Sequence, residues 1–121
     1  MSKRRVVVTG LGIVSPLGST VETVWASVLA GRSGIVPIST FDASMFNTRF
    51  AGAVQGFEVA DYLSAKEARR MDPFMHYGMG AGVQAMTDSG LDLPRTNLER
   101  CGAVMGSGIG GLAGIEAEVT T

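Results

Sequence analysis

Cysteine and histidine each occur once in this chain, as Cys101 and His76. A lone cysteine excludes an internal disulfide and any cysteine metal cluster, and makes a reducing cytoplasm the expected compartment. No spacing of metal ligands and no paired carboxylates stand out. Charge is scarce as well: 17% of residues are charged and the net charge is −1. Such a balance gives no electrostatic case for nucleic acid or a membrane surface. No apolar run is long enough to cross a membrane. Lys3-Arg-Arg5 before Val6-Val-Val8 imitates a signal peptide only briefly, because the apolar run breaks at Gly10. A Gly-Lys-Ser/Thr phosphate loop is missing.

Glycine and apolar residues are what the chain does have. Seventeen of 121 residues are glycine, 45% are hydrophobic, and the mean hydropathy is +0.25. The composition is that of globular material, enough for one domain with a modest core. So apolar a short chain is expected to carry surface that needs a partner. The glycines follow no fixed period, which excludes collagen and repeat architectures.

Patterning predicts the elements in order. Arg4 to Thr9 is β-branched and apolar, the pattern of a strand buried on both faces. Ser19 and Glu22 match a capping box, after which Val21, Val24, Trp25, Val28 and Leu29 share one helical face and Gly31 ends the helix. Residues 32–48 read as loop, and Arg49 to Val54 as a short strand. Ser64 and Glu67 form a second capping box, opening a short helix through Arg70. Asp72-Pro73 opens a longer one that Gly90 stops. That helix is apolar nearly all round, with Met75, Met79, Val83 and Met86 on one side. His76, Gln84, Thr87 and Asp88 form a narrow polar stripe. A second strong strand is expected near Cys101 to Met105, followed by a glycine run and a last helix from Leu112. The order predicts an α/β layered fold with parallel strands.

The run Gly106-Ser-Gly-Ile-Gly-Gly111 admits three readings. Gly106, Gly108 and Gly111 fit G-x-G-x-x-G between a strand and a helix, as in dinucleotide-binding domains. The same glycines serve tight strand-to-helix packing with no ligand. The third reading comes from a resemblance given below. Gly10 and Gly12 make a weaker dinucleotide candidate, since Ser15 stands at the third glycine position. Cys101 is expected to be a small core hydrophobe, and His76 a satisfied structural histidine. Lys66, Arg69 and Arg70 fall at i, i+3 and i+4, on one helical face. They form either a solvated face paired with Glu58, Asp61 and Glu67, or a docking patch for an acidic partner.

Several stretches together are specific. Arg4-Arg-Val-Val-Val-Thr-Gly-Leu-Gly-Ile-Val-Ser-Pro-Leu-Gly18 resembles the opening of β-ketoacyl-[acyl carrier protein] synthases. Leu29-Ala-Gly-Arg-Ser-Gly-Ile35 resembles their next signature. Lys66-Glu-Ala-Arg-Arg-Met-Asp72 and Ala81-Gly-Val-Gln-Ala85 are similar to the elongating, type II form, and Gly106-Ser-Gly-Ile-Gly-Gly-Leu112 completes the series. The resemblance covers essentially the whole chain and only the N-terminal part of the longer family. It implies a thiolase-like α/β fold, here as part of one of its two similar halves, usually paired into a homodimer.

The reaction so implied is a decarboxylating Claisen condensation of fatty-acid elongation. A cysteine takes the acyl group from a carrier thioester, and two histidines assist decarboxylation of the malonyl thioester. None of those catalytic residues matches a position within 1–121, so the chain is expected to stop before the catalytic cysteine and to be inactive alone. Neither cofactor nor metal is implied. Ile109, beside Gly108, matches the family's acyl-pocket gate. Lys66, Arg69 and Arg70 match its patch for acyl carrier protein. A dinucleotide-binding domain and a non-catalytic carrier-binding or dimerisation module are the alternatives.

Overall fold

A computed structural model describes residues 3–120, so residues 1, 2 and 121 of the expected 1–121 segment lie outside it. The chain divides into two units, one from the described parts of Met1–Gly12 and Val59–Thr121, the other Ile13–Glu58.

The second unit begins with a tight turn in which Ser15 and Gly18 exchange backbone hydrogen bonds. Helix α1 follows, Val21–Leu29. Its cap is Thr20, not Ser19. Thr20 has the extended backbone a cap requires, and its side chain accepts from Thr23 N–H while Thr23 Oγ1 accepts from Thr20 N–H. Gly31, at φ +62°, turns the chain out in the left-handed conformation glycine tolerates. Ser27 is the buried residue of α1, its hydroxyl donating to the Leu17 carbonyl at 3.3 Å. The expected apolar face is therefore only partly covered: Trp25, Val28 and Leu29 are exposed. Strands β1 (Val36–Pro37) and β2 (Phe50–Ala51) pair antiparallel, with Val36 opposite Ala51. The stretch expected to be all loop thus contributes one short strand.

The first unit is organised by α3, Pro73–Ser89. Proline at its first position and a left-handed Gly90 at its end define it, as the sequence requires. The N-terminal segment crosses it at very close range. A Cβ at Gly12 would meet the Ala81 carbonyl and lie 2.8 Å from Ala85 N, and one at Gly10 would lie 2.5 Å from Ser89 N. Gly10 and Gly12 share one side of an extended segment, and Ala81, Ala85 and Ser89 share one ridge of the helix. Only glycine allows two backbones that near. Leu11 N–H donates to the Asp88 carboxylate at 2.8 Å, pinning the register. On another side of α3, a Cβ at Gly78 would lie 3.0 Å from Met105 Cε.

The two segments expected as central strands reach α3 only at their ends, through Gly10 to Gly12 and through Met105, and neither forms a strand. Among the described residues the only paired strands are β1 and β2. Val6 is 93% exposed and Val104 fully exposed. A strand is made by ladder bonds to neighbours, and an apolar strand also needs cover on both faces. Here both segments are largely exposed and have no ladder partner. Among the described residues, Ala43 and Leu63 are the buried hydrophobics, and no side chain is completely enclosed.

The narrow polar stripe of α3 is exposed at Thr87 and Asp88 and half-buried at His76 and Gln84. Its members hold the unit together: Asp88 takes Leu11, Gln84 donates to Tyr62 Oη at 2.9 Å, and His76 reaches the Ala68 carbonyl. Met79, Val83 and Met86 are exposed as well.

Candidate functional site

The glycine run leaves Met105 as irregular chain and enters α4, Leu112–Val119, through Gly111 as its cap. Its two ends differ. At Gly106 and Gly108 a Cβ would meet nothing within 4 Å. At the helix end the chain is held. Gly110 has φ +78° and donates its N–H to Ser107 Oγ at 3.1 Å, and a Cβ there would lie 3.7 Å from the Phe74 ring. Ile109 stands between the open and the held parts, 73% exposed.

Beside this run lies an apolar groove of about 210 Å³, lined by Met71, Phe74, Met75, Gly78, Met79 and Met105. Methionine is unbranched and polarizable, so its side chains adapt to an apolar guest of varying shape. No group of three or more His, Cys, Asp or Glu residues among those described could hold a metal.

Asp72 stands where Asp72-Pro73 places it, at the start of α3, but its side chain does something further. It occupies the cap position of α3, but its side chain makes no cap hydrogen bond there. Its carboxylate instead fills the space a Cβ of Gly111 would take, with Oδ2 2.8 Å from where a Cβ at Gly114 would be. Glycine at both 111 and 114 is thus needed to seat Asp72. The signal for this was the pair of glycines three apart at the start of α4. A carboxylate at a helix N-terminus complements the dipole that would otherwise attract a phosphate. Gly111 is thus accounted for by packing against Asp72, with no ligand required. Gly10 and Gly12 are likewise accounted for by packing on α3.

The basic patch is carried by α2, Ala65–Ala68, with Arg69 as its final cap and Arg70 in the following turn. Lys66, Arg69 and Arg70 are all exposed. The expected capping box is present: Glu67 N–H donates to Ser64 Oγ, and Ser64 N–H and Oγ–H donate to Glu67 Oε2 at 3.0 and 2.5 Å. Those two donors, the hydroxyl first, hold the Glu67 carboxyl below the usual carboxylate range. Glu67 is thus committed to Ser64 rather than to the neighbouring cations.

His76 and Cys101 part company. His76 is half-buried and bonded to the Ala68 carbonyl at 3.0 Å, the structural role expected of it. Cys101 is exposed, against expectation, and its Sγ lies 3.6 Å from the Asn97 carbonyl. It closes the turn Leu98–Arg100 instead of opening a buried strand, since the segment it begins has no ladder partner.

Comparison with known proteins gives these parts a context. The family profile described as the N-terminal domain of β-ketoacyl synthases matches residues 3–120. The 3-oxoacyl-[acyl-carrier-protein] synthase 2 of Vibrio cholerae is 58% identical over 116 residues, 96% of this chain and 28% of that protein. The protein of the same name from Synechocystis is 43% identical over 99% of this chain and 29% of its own. The chain therefore spans under a third of the length of these relatives. Among solved structures, a type II polyketide acyl-carrier protein in complex with its ketosynthase matches over 98% of this chain and 32% of that one, at 29% identity and a TM-score of 0.75. The ishigamide ketosynthase/chain length factor matches over 75% of this chain and 23% of its own, at 36% identity and 0.68.

Proposed function

The chain belongs to the β-ketoacyl synthase family, and from that premise we propose that residues 1–121 are the N-terminal part of an elongating condensing enzyme of fatty-acid synthesis. The observation that carries the proposal is the 58% identity to a 3-oxoacyl-[acyl-carrier-protein] synthase 2 along nearly the whole chain. The complete protein would join an acyl-enzyme to a malonyl thioester with loss of CO₂. It would work as a cytoplasmic homodimer of the layered thiolase-like fold. The described residues fit one part of that architecture: a central helix approached by Gly10 to Gly12 on one side and by Met105 on another, each at the end of an apolar segment without a ladder partner.

Within this reading the glycine run is one wall of the acyl pocket. Ile109 is its gate, and Gly108 beside it gives the gate room to swing, because neither Gly106 nor Gly108 abuts other atoms. The methionine-lined groove supports a hydrocarbon guest rather than a phosphate. Lys66, Arg69 and Arg70 receive the acidic acyl carrier protein. A solved neighbour is a ketosynthase bound to its carrier protein, which supports a partner of this kind.

The proposal is tested with the complete protein, supplied with acyl- and malonyl-carrier substrates. A β-ketoacyl product two carbons longer is expected. Binding of a nicotinamide or flavin dinucleotide without any condensation would replace this function with the alternative one.

A further inference from the structure

We propose that Asp72 is a positioning residue that sets acyl-chain selectivity by fastening the helix end of the glycine run. The proposal rests on Ile109 being the acyl gate and adds what controls that gate. Asp72 lies at the junction into α3, forgoes capping that helix, and places its carboxylate against Gly111 and Gly114. Gly111 is the cap of α4 and has no side chain to satisfy the free N–H groups of the helix start. The neighbouring carboxylate brings negative charge to the positive end of the helix dipole. Phe74, two residues on, would meet a Cβ at Gly110.

Asp72 therefore packs against residue 111, and the Phe74 ring flanks the side of residue 110, while 106 and 108 have open space around them. Ile109 is the first residue before the held part, so its resting place is set from the helix end. Four glycines in six residues supply freedom to move, and Asp72 limits it. A gate held at one end opens at a cost, and that cost falls on the acyl chains long enough to need it open.

The test measures kcat/KM of the complete enzyme for a long and a short acyl substrate and follows their ratio. Ile109→Phe should lower the long-to-short ratio by filling the pocket. Asp72→Ala should raise it, by about threefold, because a weakened anchor lets the gate open more readily. Gly114→Ala reaches the same anchor from the other side: its Cβ would sit 2.8 Å from Asp72 Oδ2 and displace the carboxylate. It should shift the ratio in the same direction, and the double variant should add little to either single one. Should Asp72→Ala not fold, Gly114→Ala carries the test. If Ile109→Phe lowers the ratio while both anchor variants lose activity equally for all chain lengths, Asp72 is merely structural and the proposal is overturned with the gate intact. If Ile109→Phe itself leaves the ratio unchanged, the gate is wrong and the anchor falls with it.

Discussion

His76 Nε2 lies 3.0 Å from the carbonyl oxygen of Ala68, tying the first turn of α3 to the last residue of α2. The carbonyl can only accept, so Nε2 carries the proton. Through this bond the histidine orients the short helix that bears the basic patch. A four-residue helix has almost no stability of its own, so its orientation depends on such ties. His76→Ala in the complete enzyme is expected to raise KM for carrier-bound substrate about fivefold, the worth of roughly 1 kcal/mol. Activity with a small soluble thioester should hardly change. Equal losses with both substrates would show that His76 serves general stability instead.

Charge reversal at Lys66, Arg69 and Arg70 tests the patch itself. Turnover of carrier-bound substrate should fall at least tenfold, with the small thioester little affected. The remaining carrier-dependent rate should lose most of its dependence on salt. An undiminished salt dependence would place docking elsewhere.

The capping box makes α2 sensitive to acid. The Glu67 carboxyl is held low by Ser64, so it is more acidic folded than unfolded. A depressed value contributes stability above the unfolded pKa, and that contribution disappears as pH falls through the folded one. Order in α2 is thus expected at neutral pH and loss of its protection on acidification below the ordinary glutamate range. Hydrogen exchange of residues 65–70 measures it. Ser64→Ala should remove the acid transition and cost about 1 kcal/mol of local stability at neutral pH. A transition that survives Ser64→Ala would assign it to another group.

Gly12→Ala is expected to destabilise the complete protein by roughly 1–3 kcal/mol. Its Cβ would run into the backbone of Ala81 and Ala85, which cannot move aside as a flexible side chain would. Thermal unfolding reads this directly, and an unchanged Tm would mean the N-terminal segment does not lie on α3.

Much of this was legible in the sequence wherever the cause was local. Ser64 with Glu67, Pro73 and Gly90 each determine their element through backbone chemistry within a few residues, and each is found where expected. Thr20 displaced Ser19 as a cap because two adjacent hydroxyls compete for one position and only the better-placed one wins. The strands at Arg4 to Thr9 and Cys101 to Met105 were misjudged because a strand depends on its partners, which a local pattern does not reveal. The packing of Asp72 against α4 escaped notice for a similar reason. Its partners Gly111 and Gly114 lie some forty residues away, and a glycine does not advertise what occupies the space it leaves. The motif at Gly106 to Gly111 was visible at once. That the space beside Gly111 is taken by the Asp72 carboxylate was not.

The central claim is that this chain is part of a carrier-dependent condensing enzyme without holding the nucleophile. It is tested most directly by incubating the complete protein, and separately the 121-residue segment, with acyl-carrier and malonyl-carrier substrates and reading both products and protein by mass spectrometry. The complete protein should carry an acyl group on a cysteine outside residues 1–121 and release a β-ketoacyl product, while the segment should do neither. Acylation of Cys101, or condensation by the segment alone, would contradict the account.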